Sequence, residues 1–279
     1  MSKIELIGNL KIITKDNHSI CLKKNCDSKL IEKYKYLKSK DFQNFIETKI
    51  VNGYDVRDYI EEVNISKEDK LNELMYVIAM LHIKTTHYKT ISIERIKDFY
   101  EKTTSEIINT KKYYENIFDD NVSYLYLKPS IFLLIKNISL ILSSLDYSKL
   151  YLDNWYKIVK DKRRKRVVLN HNNLKLSNFI TGDRKYLINW DNSLIDYPIY
   201  DICSLLKNNF YEIDMKDMYD IYNSKYRLQD EEKYLLYSKL LIIDKLELSK
   251  SELLNTKIVK DKINYLIKIN EFLKDCVAK

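Results

Sequence analysis

The sequence predicts an α+β fold in which a small β-rich N-terminal part precedes a larger, mainly helical part. The first fifty or so residues alternate β-branched segments with polar turns, which is typical of strands and hairpins. Later apolar residues recur mostly with a helical period. The chain has only 3 Gly and 2 Pro in 279 residues, which favours long helices joined by short polar connections. We therefore divide it into residues 1–63 and 64–279.

The N-terminal part predicts two hairpins around one helix. The segments IELIGNLKIIT and HSICLKK flank a polar turn at residues 15–18. DSKLIEKYKYLKSK has Asp27 as a candidate N-cap and apolar residues at helical spacing. Asn52-Gly53 is a strong two-residue turn between β-prone segments. The expected order is strand, strand, helix, strand, strand.

The second part begins with a capping-box-like pair, Ser66 and Asp69, which predicts a helix start. Apolar residues then share one helical face, and further helices are expected over 92–117, 129–145 and 149–160. Two short strands, VVLNHN and KYLINWD, are expected to flank Thr181-Gly182-Asp183 before helices resume near residue 199.

The composition and charge of the chain limit the classes of function that we expect for it. With 45% hydrophobic and 32% charged residues the chain is typical of a soluble globular protein, and its formal charge of +8 is spread among 40 acidic and 48 basic residues. One basic cluster, Lys160–Arg166, is either a solvated loop or a docking point for phosphate or an acidic partner. No nucleic-acid motif accompanies it, so nucleic acid is not an expected partner.

The cysteines and apolar runs indicate a cytoplasmic protein without a membrane span. Cysteine occurs at four scattered positions with no CxxC pair, and no secretory segment opens the sequence, which indicates reduced thiols. The longest apolar runs, at 131–135 and 234–243, are too short or too interrupted to cross a bilayer.

The most informative stretch is 167–206. His171, Asn173 and Asn178 have the spacing H-x-N-x-x-x-x-N, and Asn189 follows in the strand-like YLINWD. Together with the earlier β-rich part, a tyrosine-acid segment at 59–62 and a helix ending in Leu-His, this order resembles aminoglycoside phosphotransferases and choline kinases, nearest to the bacterial spore-coat-type branch. The resemblance implies a two-lobed protein-kinase-like fold, small-molecule phosphotransfer, and ATP with Mg²⁺ as cofactors.

The resemblance also assigns roles to the residues of this stretch. The catalytic base falls on Asn173, where an amide cannot take up a proton. Asn178 matches a metal ligand, while the second metal ligand, an aspartate in the family, falls on Asn189. Asp191 could compensate if the chain stays extended there, since residues two apart on a strand face the same side; it could not if the chain turns after Trp190.

Two further residues of the stretch have an implied structural role. His171 and Asp201 would brace the catalytic loop in the family. A buried core histidine and a helix N-terminal acid explain them equally well.

Nucleotide contacts are implied in the N-terminal part. Lys23 would meet the phosphates and Glu32 would orient it, with Lys24 as a rival because the strand register is open. Glu61 and Glu62 lie in the segment whose backbone would meet adenine. The glycine-rich phosphate loop is missing, since Gly8 is the only glycine before Gly53.

Three functions are open on this basis. The loss of base, metal carboxylate and glycine loop favours a pseudokinase with a binding or scaffold role, and argues against both ATP and Mg²⁺. The alternative is an atypical ATP-dependent small-molecule phosphotransferase that uses Asp191 for the metal. A polyanion-binding protein, based on Lys160–Arg166 and the net charge, is the third hypothesis.

Overall fold

A computed structural model describes residues 3–7, 10–15, 18–24, 29–212 and 214–277. The chain divides into two compact units that do not follow chain order. The first unit comprises 1–87, 167–201 and 221–226, and the second comprises 88–166, 202–220 and 227–279.

The first unit opens with an antiparallel sheet whose strand order is β1-β2-β3-β5-β4. Its strands are β1 (Lys3–Ile7), β2 (Leu10–Lys15), β3 (His18–Lys24), β4 (Lys49–Val51) and β5 (Tyr54–Asp58), and helix α1 (Lys29–Ser39) connects β3 to β4. The prediction of a single strand over residues 4–14 is wrong, because Ile7 and Leu10 pair across a two-residue connection.

The second hairpin forms where the sequence predicts it. Asn52 and Gly53 have φ of 51° and 78°, and Val51 pairs with Tyr54 on either side of them. Two successive positive φ values define the turn that matches the twist of antiparallel strands. Of the first predicted turn, residues 15–18, Lys15 and His18 pair with each other as the ends of β2 and β3. Residues 16 and 17 and the predicted cap Asp27 lie outside the described residues.

Helix α2 (Lys67–Thr85) starts at the predicted cap. The Ser66 side chain accepts a hydrogen bond from the Asp69 N–H at 3.0 Å. Nine residues of α2 are buried, including the predicted apolar face, so this helix forms the core of the first unit. Strand β6 (His87–Thr90) follows it directly.

The chain returns to the first unit with β7 (Arg164–Asn170), β8 (Phe179–Thr181), β9 (Lys185–Leu187) and β10 (Leu194–Asp196). β8 and β9 form a hairpin, and β10 pairs antiparallel with the end of β7. The sequence predicts VVLNHN as the strand directly before the turn at residues 181–183. In the structure the strand directly before that turn is β8, which the sequence does not predict. Three residues are too few to give a periodic signal.

The remaining described helices are α3 (Ile93–Asn121), α4 (Pro129–Lys136), α5 (Ile138–Val159), α6 (Ile199–Asn209), α7 (Met215–Lys225), α8 (Asp230–Leu241) and α9 (Glu252–Val277). The predicted break between 145 and 149 is wrong, since α5 is continuous there and the break lies at Asn137. The Asn137 side chain donates to the Leu133 carbonyl at 2.8 Å, which competes with continuation of the backbone helix.

Helix α4 and helix α5 meet at an angle of 55°. Taken together this bent pair is long and apolar enough for a bilayer, but within the described ranges each helix fails that test by itself.

Candidate functional site

The loop after β7 is held by one buried carboxylate. Asp201, at the start of α6, accepts hydrogen bonds from the backbone N–H of His171 at 2.7 Å and of Asn172 at 2.8 Å. Asn172 has φ of 56°, a left-handed conformation that asparagine tolerates better than most residues. Asparagine therefore allows the backbone to turn between His171 and Asn173.

The same Asp201 carboxylate also faces the end of α2. His82 Nε2 lies 3.4 Å from Asp201 Oδ2, and His82 Nδ1 is hydrogen-bonded to the Tyr222 hydroxyl at 2.7 Å. His82 and Asp201 are fully buried. The structure thus brings the Leu-His end of α2, the loop and the start of α6 together through one carboxylate.

His171 makes its own contact with the segment after β9. Its Nε2–H donates to the Ile188 carbonyl at 3.0 Å, and its ring meets the Trp190 ring edge-on with centroids 4.7 Å apart. Burial lowers the pKa of His171, because a charged imidazole would lose its hydration. A neutral ring that donates from Nε2 orders the loop without exchanging protons near neutral pH.

A chain of side-chain amides occupies the centre of the candidate site. Asn178 Nδ2 donates to the Asn173 carbonyl at 2.8 Å, and Asn189 Nδ2 donates to Asn178 Oδ1 at 2.7 Å. Lys23 Nζ then lies 3.5 Å from Asn189 Oδ1 and 3.1 Å from Asp191 Oδ2. The structure therefore brings together five of the residues that the sequence singles out, in one connected network.

The backbone at Asn189 is not extended. Asn189 has φ of 64° and ψ of 57°, and Trp190–Asn192 form a 3₁₀ turn. The extended geometry considered for Asp191 is therefore wrong. The turn nevertheless directs the Asp191 carboxylate to Lys23, so the carboxylate reaches the network by a different backbone path.

Lys33 stabilises this turn and was not predicted from the sequence. Its ammonium donates to the carbonyls of Trp190 at 3.1 Å and Asp191 at 2.6 Å. Lys33 lies at helical spacing from the buried Leu30 and Leu37 of α1, so the periodicity could have placed it on the inner side of the helix.

The predicted base position is occupied by Asn173, whose side chain has no group that accepts a proton. Its backbone carbonyl accepts the Asn178 amide, and its side chain makes no hydrogen bond within the described part of the chain. An amide has no basic site at neutral pH.

The donor set as it is arranged here does not fit Mg²⁺, which prefers an octahedral shell of hard oxygens and is held through carboxylates that are free to bind it. Asp191 is the single carboxylate of the network, and it is paired with Lys23. The Asn178 oxygen is used by Asn189. Among the described residues, no three or more His, Cys, Asp or Glu cluster in a way that could hold a metal ion.

The predicted helix acid does not orient Lys23. Glu32 is exposed on α1, and between these two described residues no ion pair forms. The side chain of the rival, Lys24, lies outside what the structure describes, as does Gly8.

The segment at 59–63 is fixed to the β8–β9 hairpin. Val63 N–H donates to the Thr181 carbonyl at 2.5 Å, and the Thr181 hydroxyl donates to the Val63 carbonyl at 2.7 Å. A Cβ on Gly182 would lie 2.6 Å from Ile60 Cγ2 and 3.3 Å from the Glu61 carbonyl, so any side chain at this position would force Ile60 or the hairpin to shift. Glu62 forms an ion pair with Lys70, and Glu61 is exposed.

A cavity of about 670 Å³ lies beside this segment but is separate from the amide network. It is lined by Val63, Ile65, Asp69, Asn72, Glu73, Tyr76, Thr181, Gly182 and Lys185. None of the predicted catalytic or metal residues lines it.

The basic cluster Lys160–Arg166 is partly neutralised within the second unit. Arg166 Nε donates to Glu232 Oε1 at 2.9 Å, and Glu232 is buried. Lys162 pairs with Glu231. At least two cations of the cluster therefore have partners inside the protein.

Comparison with known proteins shows the fold of the chain. No family model and no curated protein sequence matches the chain. An aminoglycoside phosphotransferase from Alicyclobacillus acidocaldarius superposes with a TM-score of 0.71 at 10% identity, covering 98% of this chain and 90% of that one.

Two structures of spectinomycin phosphotransferase APH(9)-Ia are also similar. The AMP-bound complex has a TM-score of 0.56 at 13% identity, over 96% of this chain and 92% of that one. The complex with ADP and spectinomycin has a TM-score of 0.52 at 13% identity, over 98% and 93%. The chain therefore has the protein-kinase-like fold of aminoglycoside phosphotransferases, which confirms the predicted fold class; the spore-coat-type branch stays a prediction.

Proposed function

We propose that this chain is a pseudokinase: a protein with a phosphotransferase fold that lacks phosphotransferase activity and serves in binding or as a scaffold. The observation that carries the proposal is the hydrogen bond from Asn189 Nδ2 to Asn178 Oδ1, with the Lys23 ammonium next to it. The two amides fall at the sequence positions that the family pattern gives to metal ligands, but they bind each other and have an ammonium beside them.

The missing base supports the same conclusion. A positioned general base contributes roughly 10²–10⁴-fold to a rate, and Asn173 cannot act as one. Phosphoryl transfer depends mainly on positioning and charge neutralisation, so this loss alone would leave some turnover. Together with a donor set that does not fit Mg²⁺, it removes both proton acceptance and metal-based neutralisation.

The proposal is tested by ATP hydrolysis and by thermal shift with ATP, in the presence of Mg²⁺ and of EDTA. We expect no hydrolysis and no metal-dependent rise of the melting temperature. A Mg²⁺-dependent rise that Asp191→Ala abolishes would overturn the proposal.

The double variant Asn173→Asp/Asn189→Asp supplies the positive control. It restores the two carboxylates of the family pattern, so Mg²⁺-dependent stabilisation by ATP is expected to appear. Asn172→Asp, a neighbouring asparagine on the same loop, introduces a carboxylate outside that pattern and is expected to leave ATP without effect.

A second candidate function is an atypical small-molecule phosphotransferase. The observation that favours it is that the Asp191 carboxylate reaches the network, where it could exchange Lys23 for a metal ion and replace the carboxylate absent at Asn189. ATP with Mg²⁺ would be its cofactors, and hydrolysis by the unaltered chain that Asp191→Ala removes would distinguish it from the pseudokinase.

We also infer a cytoplasmic location. Cys21 and Cys203 are buried free thiols, which suits a reducing compartment. To test this, cells are quenched with acid, the protein is unfolded and its free thiols are labelled. Protein whose cysteines are linked in disulfides would contradict the cytoplasmic location.

A partner of acidic or phosphorylated character could dock at Lys160–Arg166. The pairing of Lys162 and Arg166 within the protein leaves less free charge there than the sequence suggests. Heparin binding by the chain and by an Arg163→Gln/Arg164→Gln variant tests this. Equal binding by both would count against Lys160–Arg166 as the docking site.

A further inference from the structure

The inner face of β5 carries a carboxylate that the proposed function does not use. Asp55 stands directly opposite Lys23 in the register of β3 and β5. Residues directly opposite in an antiparallel pair project from the same face, with Cβ atoms roughly 4.5–5.5 Å apart. Asp55 is only 5% exposed, so its carboxylate lies beneath the sheet next to the Lys23 stem.

This carboxylate is incompletely satisfied. Asp55 Oδ1 has no hydrogen-bond partner within the described residues, and neither has the nearby buried Thr48 Oγ1. Burial raises the pKa of Asp55, the nearby charges of Arg57 and, less strongly, Lys23 oppose that rise, and the charge of Asp191 adds to it. A buried polar atom without a partner is costly, so the Asp55 carboxylate would gain from an interaction that it does not make in this state.

The neighbouring cations show what that interaction could be. Arg57 is on the same face of β5 and is also buried, but among the described residues it forms no ion pair with Asp55. The Lys23 ammonium is engaged by Asp191 and Asn189. Helix α1 contributes Lys33 to this region, and its Glu32 is exposed.

We infer that Asp55 is a positioning residue for Lys23, and that it takes the ammonium when Asp191 is engaged elsewhere. The acid that orients the strand lysine would then come from the adjacent strand instead of from α1. This inference rests on the sheet register and on the unpartnered Asp55 oxygen, and it holds whether or not the chain transfers phosphate.

The experiment measures the pKa of Asp55 by carboxyl ¹³C NMR in four proteins: the unaltered chain, Asp191→Asn, Lys23→Met, and the double variant. Removing the Asp191 charge alone lowers this pKa somewhat through space. If the ammonium moves to Asp55, the drop caused by Asp191→Asn should be larger in the unaltered chain than in the Lys23→Met background. The expected difference is about one pKa unit, or tenfold in proton affinity.

An equal drop in both backgrounds would overturn the inference, because the change would then be purely long-range. Glu32→Gln in the Asp191→Asn background is the matched control and should leave the pKa of Asp55 unchanged. If Glu32→Gln changed the pKa of Asp55 as much as Lys23→Met does, the orienting role would belong to Glu32, and the inference would be overturned.

Stability gives a second readout that does not depend on assigning the carboxyl signal. In the Asp191→Asn background, Asp55→Asn should lower the urea midpoint when Lys23 is present and raise it or leave it unchanged in Lys23→Met. Equal effects in both backgrounds would mean that Asp55 serves Arg57 instead, and would also overturn the inference.

Discussion

Asn189 donates its side-chain amide to the amide oxygen of Asn178 at 2.7 Å, so the two residues at the predicted metal positions bind each other. Asn189→Asp removes that donor and sets two acceptors face to face. We expect a loss of about 1–3 kcal/mol in the free energy of unfolding without Mg²⁺, reduced to the extent that Lys23 moves toward the new carboxylate.

Urea denaturation checks this expectation. Asn192→Asp, an exposed asparagine in the adjacent turn, is the control and should change stability by no more than about 0.5 kcal/mol. If both variants had equal stability, the amide pair would contribute nothing to holding the network.

His171 should make stability depend on pH. Its pKa is lowered in the folded protein, whereas in the unfolded chain it lies near 6.5. The unfolded chain therefore takes up a proton first, and the free energy of unfolding falls as pH drops below about 6.5, by up to about 1.4 kcal/mol per pH unit from this group. The contribution is fully present above pH 6.5.

Urea denaturation between pH 5 and 7.5 measures that slope. His171→Gln keeps a donor for the Ile188 carbonyl but does not titrate, so the slope should decrease. His87→Gln changes a half-buried histidine outside the loop and is the comparison. An unchanged slope in His171→Gln would show that the ring is solvated.

Asn172 should favour glycine over alanine because its φ is 56°. A Cβ in the left-handed region costs roughly 1–2 kcal/mol, so Asn172→Gly should be more stable than Asn172→Ala by about 1 kcal/mol. At Asn116, exposed within α3, the order should be reversed by a similar amount. Thermal denaturation of the four variants tests both; alanine preferred at 172 would contradict the left-handed conformation.

Gly182 should not tolerate a side chain. A Cβ there would lie 2.6 Å from Ile60 Cγ2, so Gly182→Ala is expected to cost about 1–3 kcal/mol. The cost should be smaller in an Ile60→Ala background, where the clashing methyl is gone. Chemical denaturation of the four proteins in this double-mutant cycle gives the coupling free energy between Gly182 and Ile60. Additive effects would mean that the β8–β9 hairpin does not contact the 59–63 segment closely.

Local signals predicted much of the fold. The turn at Asn52-Gly53 and the helix start at Ser66 depend on residues that make their contacts within a few positions, so the sequence contains the whole interaction. The break at Asn137 was missed because asparagine within an apolar run gives no periodic signal until its side chain captures the Leu133 carbonyl.

The candidate site was predictable by residue type but not by geometry. The spacing of His171, Asn173 and Asn178 identified the loop, yet the turn after Asn189 depends on Lys33, which lies far away in sequence. Likewise, the position of Asp55 beside Lys23 follows only from the pairing register of β3 and β5. A register shift by one residue would have placed Asp55 on the opposite face of the sheet.

The interleaving of the two units in chain order has a consequence for synthesis. The first unit takes segments from residues 1–87 and again from 167–201 and 221–226. At roughly 5–20 residues per second, the sheet and α2 must wait on the order of 10 s on the ribosome before β7, β8 and the tyrosine that bonds His82 emerge. During that interval the buried His82 and the α2 core lack their final neighbours, so chaperone dependence and aggregation should be most sensitive to translation speed between residues 88 and 226.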